Sequence, residues 1–408
     1  MSKTVWIINQ YASTPDSGFA GRHYYLGKEL AKLGYNVYLI ASSAHHLLRE
    51  KPDMRSEFEF QEEDNRFNVV WVRMPHYEQA HSKSRIIGWF LFSRRIRKLA
   101  KIVPDSPDVI VCSSPSLLSF FGAKSLARRF SARLVFEVRD IWPMTLMDIG
   151  GYSPRHPFIR FLQWVEDRAY RDSDRVVSNL KNAVEHMVEL GMEKEKFSWI
   201  PNGFSLEEVS QNAPLNDSAK KKIPQDKFLI GYTGTLGVAN SLYTLIDAAE
   251  RLRDFPEIAF ILVGDGKEKA TLQKRVLEKG LVNVHFINPI PKVEIQAMLS
   301  QFDGCYIGLS KDPLFRFGVS PNKLFDYLYS GKPIIYGIES GNYKPVEDAG
   351  AGFQIPSEDA KQLEDAVLKL YRMEDSERAQ MGANGRKVAL EQYEYGQLAE
   401  NLAKVLFD

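Results

Sequence analysis

Phe315-Arg-Phe-Gly-Val-Ser-Pro-Asn-Lys-Leu-Phe-Asp-Tyr-Leu-Tyr-Ser-Gly-Lys-Pro-Ile-Ile335 contains a complete start and stop for one short helix. Ser320 is suited to the N-cap, Pro321 to the first helical position and Gly331 to the residue just past the end, and Lys332-Pro333 opens a following strand. The head of such a helix presents unpaired N–H groups and the positive end of its dipole. Lys323 adds an ammonium in the same place, a combination that holds phosphate oxygens without a metal. Asp326 lies one turn on, at the spacing that shares a face with Asn322 and Lys323, where a carboxylate can accept two hydrogen bonds from a ribose diol. A capped helix between two strands is also ordinary α/β architecture, so spacing alone leaves a diphosphate seat and a plain structural helix both open.

Working outward, strand-like runs alternate with helical patterns along the whole chain. In the first half they fall at Val5–Asn9, Asn36–Ala41, Asn68–Arg73, Asp108–Cys112, Leu134–Val138 and Arg175–Asn179. A polar stretch at 205–225 interrupts the rhythm, which restarts at Phe228 and continues at Ala259–Val263, Val282–Phe286, Gly304–Ile307, Pro333–Tyr336 and Gly352–Ile355. The alternation predicts two α/β domains of similar size, each a doubly wound, mostly parallel sheet covered by helices, hinged near Pro201–Gly203 with a cleft between them. The expected boundaries are 1–200, 201–385 and a terminal helical segment 386–408.

Composition agrees with a globular enzyme-sized protein: 408 residues, 44% hydrophobic, 12% aromatic. A net charge of +1 predicts no nucleic-acid partner. Cys112 and Cys305 sit in apolar runs and read as buried hydrophobes suited to a reducing compartment. No secretory leader pattern follows the start and no run reaches the roughly 18 apolar residues of a spanning helix, so a cytoplasmic location is expected.

Ser320-Pro-Asn-Lys-Leu-Phe-Asp-Tyr-Leu, followed by Gly331-Lys-Pro-Ile, resembles the donor-binding segment of the retaining glycosyltransferase family 4. The likeness is strongest to the bacterial subgroup that builds O-antigen and capsule sugars. Further pieces of its pattern occur in order along nearly the whole chain. The resemblance implies the GT-B fold, two Rossmann-like domains with a C-terminal helix crossing back to the first. It also implies a UDP-sugar co-substrate, with Ser320, Pro321, Asn322, Leu324 and Asp326 as donor-binding positions.

Other stretches gain meaning beside it. Gly18 and Gly21 form a loop ahead of a helix that lacks the G-x-G-x-x-G spacing. They are a turn and helix start on their own, and a diphosphate-facing loop by resemblance, with Arg22 nearby. Phe136-Glu-Val-Arg-Asp-Ile-Trp-Pro143 puts Arg139 and Asp140 just past a strand's carboxyl end, where open sheets place ligands. An ordinary surface ion pair is the competing account. The resemblance assigns Asp140 to a sugar hydroxyl or the acceptor, and Arg139 to negative charge. In Gly231-Tyr-Thr-Gly-Thr-Leu-Gly-Val-Ala-Asn240 the family commonly carries an arginine and a lysine where Thr235 and Asn240 stand, so Arg316 and Lys323 are the expected cations for the leaving diphosphate. Gly318 occupies the first place of the family's acidic pair and Asp326 the second. Ile287 and Asn288 correspond to the segment that reads the nucleobase through main-chain groups.

The run from His81 to Lys101 holds seven Lys or Arg and no acid, interleaved with Trp89, Phe90 and Phe92. Residues 83–101 are either a core helix with a solvated basic face or a peripheral contact with the inner membrane surface. The combined expectation is a retaining, metal-independent glycosyltransferase. It would move an N-acetylhexosamine-type sugar from a UDP-sugar donor to a polyprenyl-diphosphate-linked glycan acceptor at the inner face of the cytoplasmic membrane. A non-hydrolysing UDP-sugar epimerase and a non-catalytic nucleotide-sugar-binding protein are the alternatives.

Overall fold

The computed structural model describes residues 2–76, 83–148 and 150–408, without the side chains of 83–85. His81 and Ser82 of the basic run therefore lie outside the described residues, as do the side chains of Lys83 and Arg85. The chain forms two compact units, Met1–Asn202 together with Tyr395–Asp408, and Gly203–Glu394.

The first unit is built on eight strands: β1 (Thr4–Ile8), β2 (Asn36–Ser42), β3 (Phe58–Asp64), β4 (Phe67–Val72), β5 (Val109–Ser113), β6 (Arg133–Val138), β7 (Arg175–Ser178) and β8 (Phe197–Trp199). Their order is β3-β4-β2-β1-β5-β6-β7-β8, parallel except that β3 runs antiparallel to β4. The inner strands are continuous Val/Ile runs, as strands covered on both faces must be. Sequence reading missed β3, whose Phe-Glu-Phe-Gln-Glu-Glu-Asp run reads as a charged surface segment. It is an edge strand, and its exposed Glu62 and Asp64 discourage pairing with another chain. It also missed the three-residue β8.

The second unit has six parallel strands, β9 (Phe228–Thr233), β10 (Ile258–Val263), β11 (Val284–Ile287), β12 (Gly304–Gly308), β13 (Ile334–Gly337) and β14 (Gly352–Ile355), ordered β11-β10-β9-β12-β13-β14. Each sheet reverses its winding beside its first strand, between β1 and β5 and between β9 and β12. Such switch points open a crevice at the strands' carboxyl ends. The doubly wound expectation for both halves is what the structure contains.

Where a terminal helical segment is expected at 386–408, the chain forms the end of one helix and the whole of another. Asp375–Val388 continues as a π-helical turn, Ala389–Tyr393, and extended Glu394 separates it from Tyr395–Phe407. Leu398, Leu402 and Leu406 recur every fourth residue and are buried in the first unit's core, each contributing about 2 kcal/mol. Tyr395 stacks on Tyr25 at 5.0 Å and Phe407 on Tyr35 at 4.8 Å. Arg133 donates to the carbonyl of Leu406 at 3.0 Å, meeting the negative end of that helix with a cation.

Candidate functional site

In the second unit the helix Asn322–Ser330 begins one residue later than its sequence predicts. Pro321 takes the N-cap, Ser320 precedes it, and Gly331 ends the helix in the left-handed conformation at φ 72°. The extended backbone at Pro321 lets the ring close the helix entrance, while Asn322 and Lys323 supply the first amides that no helix can pair internally.

Lys323 is turned toward the carboxyl end of β9. Its Nζ donates to Asn240 Oδ1 at 2.7 Å and to the Tyr232 hydroxyl at 3.0 Å, and lies 4.7 Å from the Tyr232 ring centroid. Asn240 in turn donates to the Thr235 carbonyl at 3.0 Å, which also accepts from Tyr232 at 2.7 Å. Gly234, at φ 137°, makes the turn possible, and a Cβ there would sit 3.3 Å from Lys323 Cε. Burial pushes the Lys323 ammonium down to about 8, so it is a cation short of stabilising charge. An anion at this loop would relieve it.

Asp326 looks elsewhere. It borders a small cavity with Glu208, Lys292 and Gln296, and Gln296 donates to its main-chain carbonyl at 3.2 Å. Burial raises its carboxyl to about 6, opposed by the Lys292 charge and reinforced by that of Glu208. Lys292 itself donates to Glu208 at 2.5 Å. Sequence reasoning found Asp326 but not these neighbours, which come from segments remote in the chain and carry no motif.

The remaining expected donor residues divide. Thr235 is exposed and joined to Lys323 through Asn240. Arg316 folds back on its own turn, donating to the Pro313 carbonyl at 2.6 Å with its guanidinium 4.2 Å from the Phe317 ring. Leu324 is fully buried in the core and its N–H is spent on the Pro321 carbonyl, so its side chain faces no ligand site. Ile287 is buried with its carbonyl accepting from Gly264, and exposed Asn288 accepts from Lys269 at 2.9 Å. Gly318 has φ 95°, a conformation that disfavours the glutamate common at that place in the family.

The first unit has a buried polar cluster beside its switch point. Glu137, at the end of β6, accepts from Arg22 Nε at 2.8 Å and from His23 Nε2, all three being buried. Asn9 donates to His23 Nδ1 at 2.9 Å, which fixes a neutral ring with its proton on Nε2. Burial lowers the His23 pKa, while its cationic and hydrogen-bonding neighbours hold Glu137 well below the usual carboxylate range against the burial penalty. Arg22 also donates to the Pro201 carbonyl. Arg22, noted in the sequence beside the Gly18 and Gly21 loop, is thus a buried structural cation. Gly18 bridges to Leu48, and Gly21 is the N-cap of the Arg22–Lys32 helix with open space where a Cβ would stand.

Arg139 and Asp140 follow β6 directly. The Arg139 N–H donates to Ser114 Oγ at 2.9 Å, and its Nε is buried without a hydrogen-bond partner. Asp140 is exposed. Desolvation of its carboxyl raises its pKa, opposed by the charge of Arg139. Both cysteines are buried free thiols. Among the described residues no cluster of three His, Cys, Asp or Glu is arranged to hold a metal, and no helix is long and apolar enough to cross a membrane.

Residues 17–203 match the family described as "Glycosyl transferase 4-like domain", and 215–388 match "Glycosyl transferases group 1". The chain is 26% identical over 320 residues to the putative colanic acid biosynthesis glycosyl transferase WcaI of Escherichia coli, covering 76% of this chain and 77% of that protein. Among solved structures, sucrose-phosphate synthase from Thermosynechococcus elongatus superposes with a TM-score of 0.73 at 17% identity, over 99% of this chain and 98% of that one. Anabaena HepE in complex with UDP superposes with a TM-score of 0.68 at 16% identity, over 99% of each chain. At these identities the structural likenesses establish the two-domain fold.

Proposed function

The chain belongs to the family-4 type of glycosyltransferases, and we propose from that premise that it moves a sugar from a UDP-sugar to a polyprenyl-diphosphate-linked glycan. The observation that carries the donor half is Lys323, lodged at the head of the Asn322–Ser330 helix against the Gly234 turn, with burial lowering its pKa. A diphosphate there would meet an ammonium and the helix's first amides together. The bond between the anomeric carbon and the diphosphate oxygen breaks as an acceptor hydroxyl attacks the same face and passes its proton to the departing diphosphate oxygen, so configuration is retained. Charge grows on the leaving diphosphate, and Lys323 is placed to stabilise it without a metal. Asp326 takes the ribose diol. Arg139 and Asp140 serve the acceptor side.

Uridine as the base is supported by HepE, a protein of the same fold with UDP bound. An N-acetylhexosamine-type sugar and a lipid-carried acceptor at the inner membrane surface rest on the likeness to O-antigen and capsule enzymes. WcaI, named for colanic acid biosynthesis, supports a cell-surface polysaccharide as the product. The test is thermal shift with UDP, GDP, dTDP and CMP on the wild type, Lys323→Ala and Asp326→Ala. Stabilisation by UDP above the others, lost in both variants, is expected; equal or absent responses in the wild type would remove the donor assignment.

A further inference from the structure

Three helices of the first unit share a pattern that no single one reveals. Lys83–Ile96, Ser119–Phe130 and Pro157–Asp172 connect β4 to β5, β5 to β6 and β6 to β7, so each runs back against the parallel strands. Their amino ends lie at the strands' carboxyl ends, the end that carries Arg139 and Asp140. All three crossovers step the same way along the sheet, and right-handed connections then place them on one face.

On the first helix Ile87 and Phe90 are 64% and 52% exposed and exposed Arg94 follows one turn on, while exposed Arg97 opens the 3-10 turn after the helix. On the third, Phe161 and Trp164, the latter 49% exposed, are followed by Arg168, whose guanidinium lies 5.9 Å from the Trp164 ring. The second repeats the order with Phe121, Lys124 and Arg128. The aromatic ends touch in a continuous ladder: Phe90 on Phe161 at 6.2 Å, Phe161 on Trp164 at 6.1 Å and Trp164 on Phe121 at 5.6 Å. The cationic ends run into an open recess edged by Arg171, Arg175 and Lys196, where Asp172 pairs with Lys124 at 2.5 Å and with Arg168 at 3.7 Å and Asp174 is the second acid, so cations outnumber acids there without being free of them.

A chain of net charge +1 has therefore sorted cations onto one face and set half-exposed rings beside them. Rings that dip below headgroups, with cations one to two turns away at headgroup level, are the arrangement an anionic bilayer surface selects. Single-stranded nucleic acid would need ring faces open for base stacking, and here neighbouring rings occupy them. We propose that this three-helix face seats the protein on an anionic phospholipid surface, with the aromatic ladder at the end nearest Arg139 and Asp140. The inference rests on the reading of a lipid-carried acceptor and names the surface that would bring it within reach.

The test is co-sedimentation of the full chain with phosphatidylcholine vesicles, with and without phosphatidylglycerol, at low and high salt. Retention by the anionic vesicles alone, weakened by salt, is expected. Arg94→Glu with Arg168→Glu should weaken it by roughly fivefold or more per cation. Phe90→Ser with Trp164→Ser should weaken it at low salt too, and brominated lipid should quench a fluorescence component that Trp164→Phe removes. No retention of the wild type, or retention unchanged in both double variants, would overturn the proposal, as would binding to RNA but not to vesicles. The UDP-induced thermal shift, measured on the same variants, reports the second unit. A preserved shift with lost retention isolates the membrane face, whereas retention without any UDP response leaves this surface standing and sinks the donor reading.

Discussion

Lys323 Nζ donates to Asn240 Oδ1 at 2.7 Å, joining the head of one helix to the loop after β9 through a neutral partner. A carboxylate at 240 would neutralise the ammonium, whereas an amide holds it in place and leaves its charge for a ligand. Lys323→Met should therefore weaken UDP binding by about tenfold to a hundredfold, the range for a lost charge-assisted hydrogen bond, and leave uridine binding nearly unchanged. Asn240→Asp should reproduce the selective loss. Calorimetric titration of each variant with UDP and uridine checks this, and equal losses for both ligands would place Lys323 away from the phosphates.

UDP, which would be held by Lys323 at the diphosphate and by Asp326 at the ribose, should bind best in a narrow pH range. Asp326 ionises at about 6 and is needed as an acceptor, so affinity falls as pH drops below that value. Lys323 is charged only below about 8, so affinity also falls as pH rises through it. A plot of UDP affinity against pH should be bell-shaped, Asp326→Asn losing the acid limb and Lys323→Met the alkaline one. A flat profile in the wild type would contradict both roles.

Asp326 also bears on stability. Its folded pKa of about 6 exceeds the usual carboxylate value, so folding favours the protonated form. The penalty for the ionised form is absent at low pH and complete above about 6. Asp326→Asn should raise the thermal midpoint at neutral pH and lose that advantage in acid, while impairing UDP binding. A lowered midpoint at neutral pH would show that the carboxylate is structurally required.

Much of this was legible from pattern. The Val/Ile runs of β1, β5 and β6 announce strands buried on both faces, and Gly331 after Ser330 marks a helix end through one conformational need. What was not legible depends on partners distant in sequence. Nothing in Ser320-Pro-Asn-Lys tells that Lys323 turns to Tyr232 and Asn240 while Asp326 faces Lys292 and Glu208. Likewise Arg22 follows the glycine loop like a ligand cation, yet Glu137, 115 residues on, takes it into the core. Of the three-helix face only the basic run 83–101 was legible, and of its three rings Trp89 and Phe92 are buried while Phe90 is exposed; the other stripes are short and amount to a surface only when Phe90, Phe161 and Trp164 meet.

The Arg22–Glu137 pair makes an opposite kind of prediction. Both side chains are 2–3% exposed, so Glu137→Ala leaves a buried arginine without its counter-charge and should cost about 3–5 kcal/mol in the first unit's unfolding. Replacing both by methionine removes the desolvation penalty with the attraction and should cost far less. Urea unfolding followed for each unit separately distinguishes them. Equal losses in the single and double variants would mean that the geometry held by Arg22 at the Pro201 carbonyl, rather than charge balance, carries the stability.

His45 offers a cleaner titration. The ring is buried, its Nε2 donates to the Ala12 carbonyl at 3.1 Å and its Nδ1 accepts from the Leu47 N–H at 3.3 Å, so the neutral tautomer satisfies both nitrogens. Burial lowers its pKa to about 4, outweighing the Ala12 hydrogen bond, against about 6.5 in the unfolded chain. A depressed folded pKa means that this contribution is fully present above about 6.5 and is lost as pH falls toward 4. His45→Gln keeps a donor for Ala12 and removes the titration, so the first unit's thermal midpoint should fall less steeply across that window than in the wild type. Parallel pH profiles for the two proteins would move the acid sensitivity to other groups, and a variant destabilised equally at all pH values would show that the ring's packing against Tyr11, at 5.7 Å, matters more than its proton.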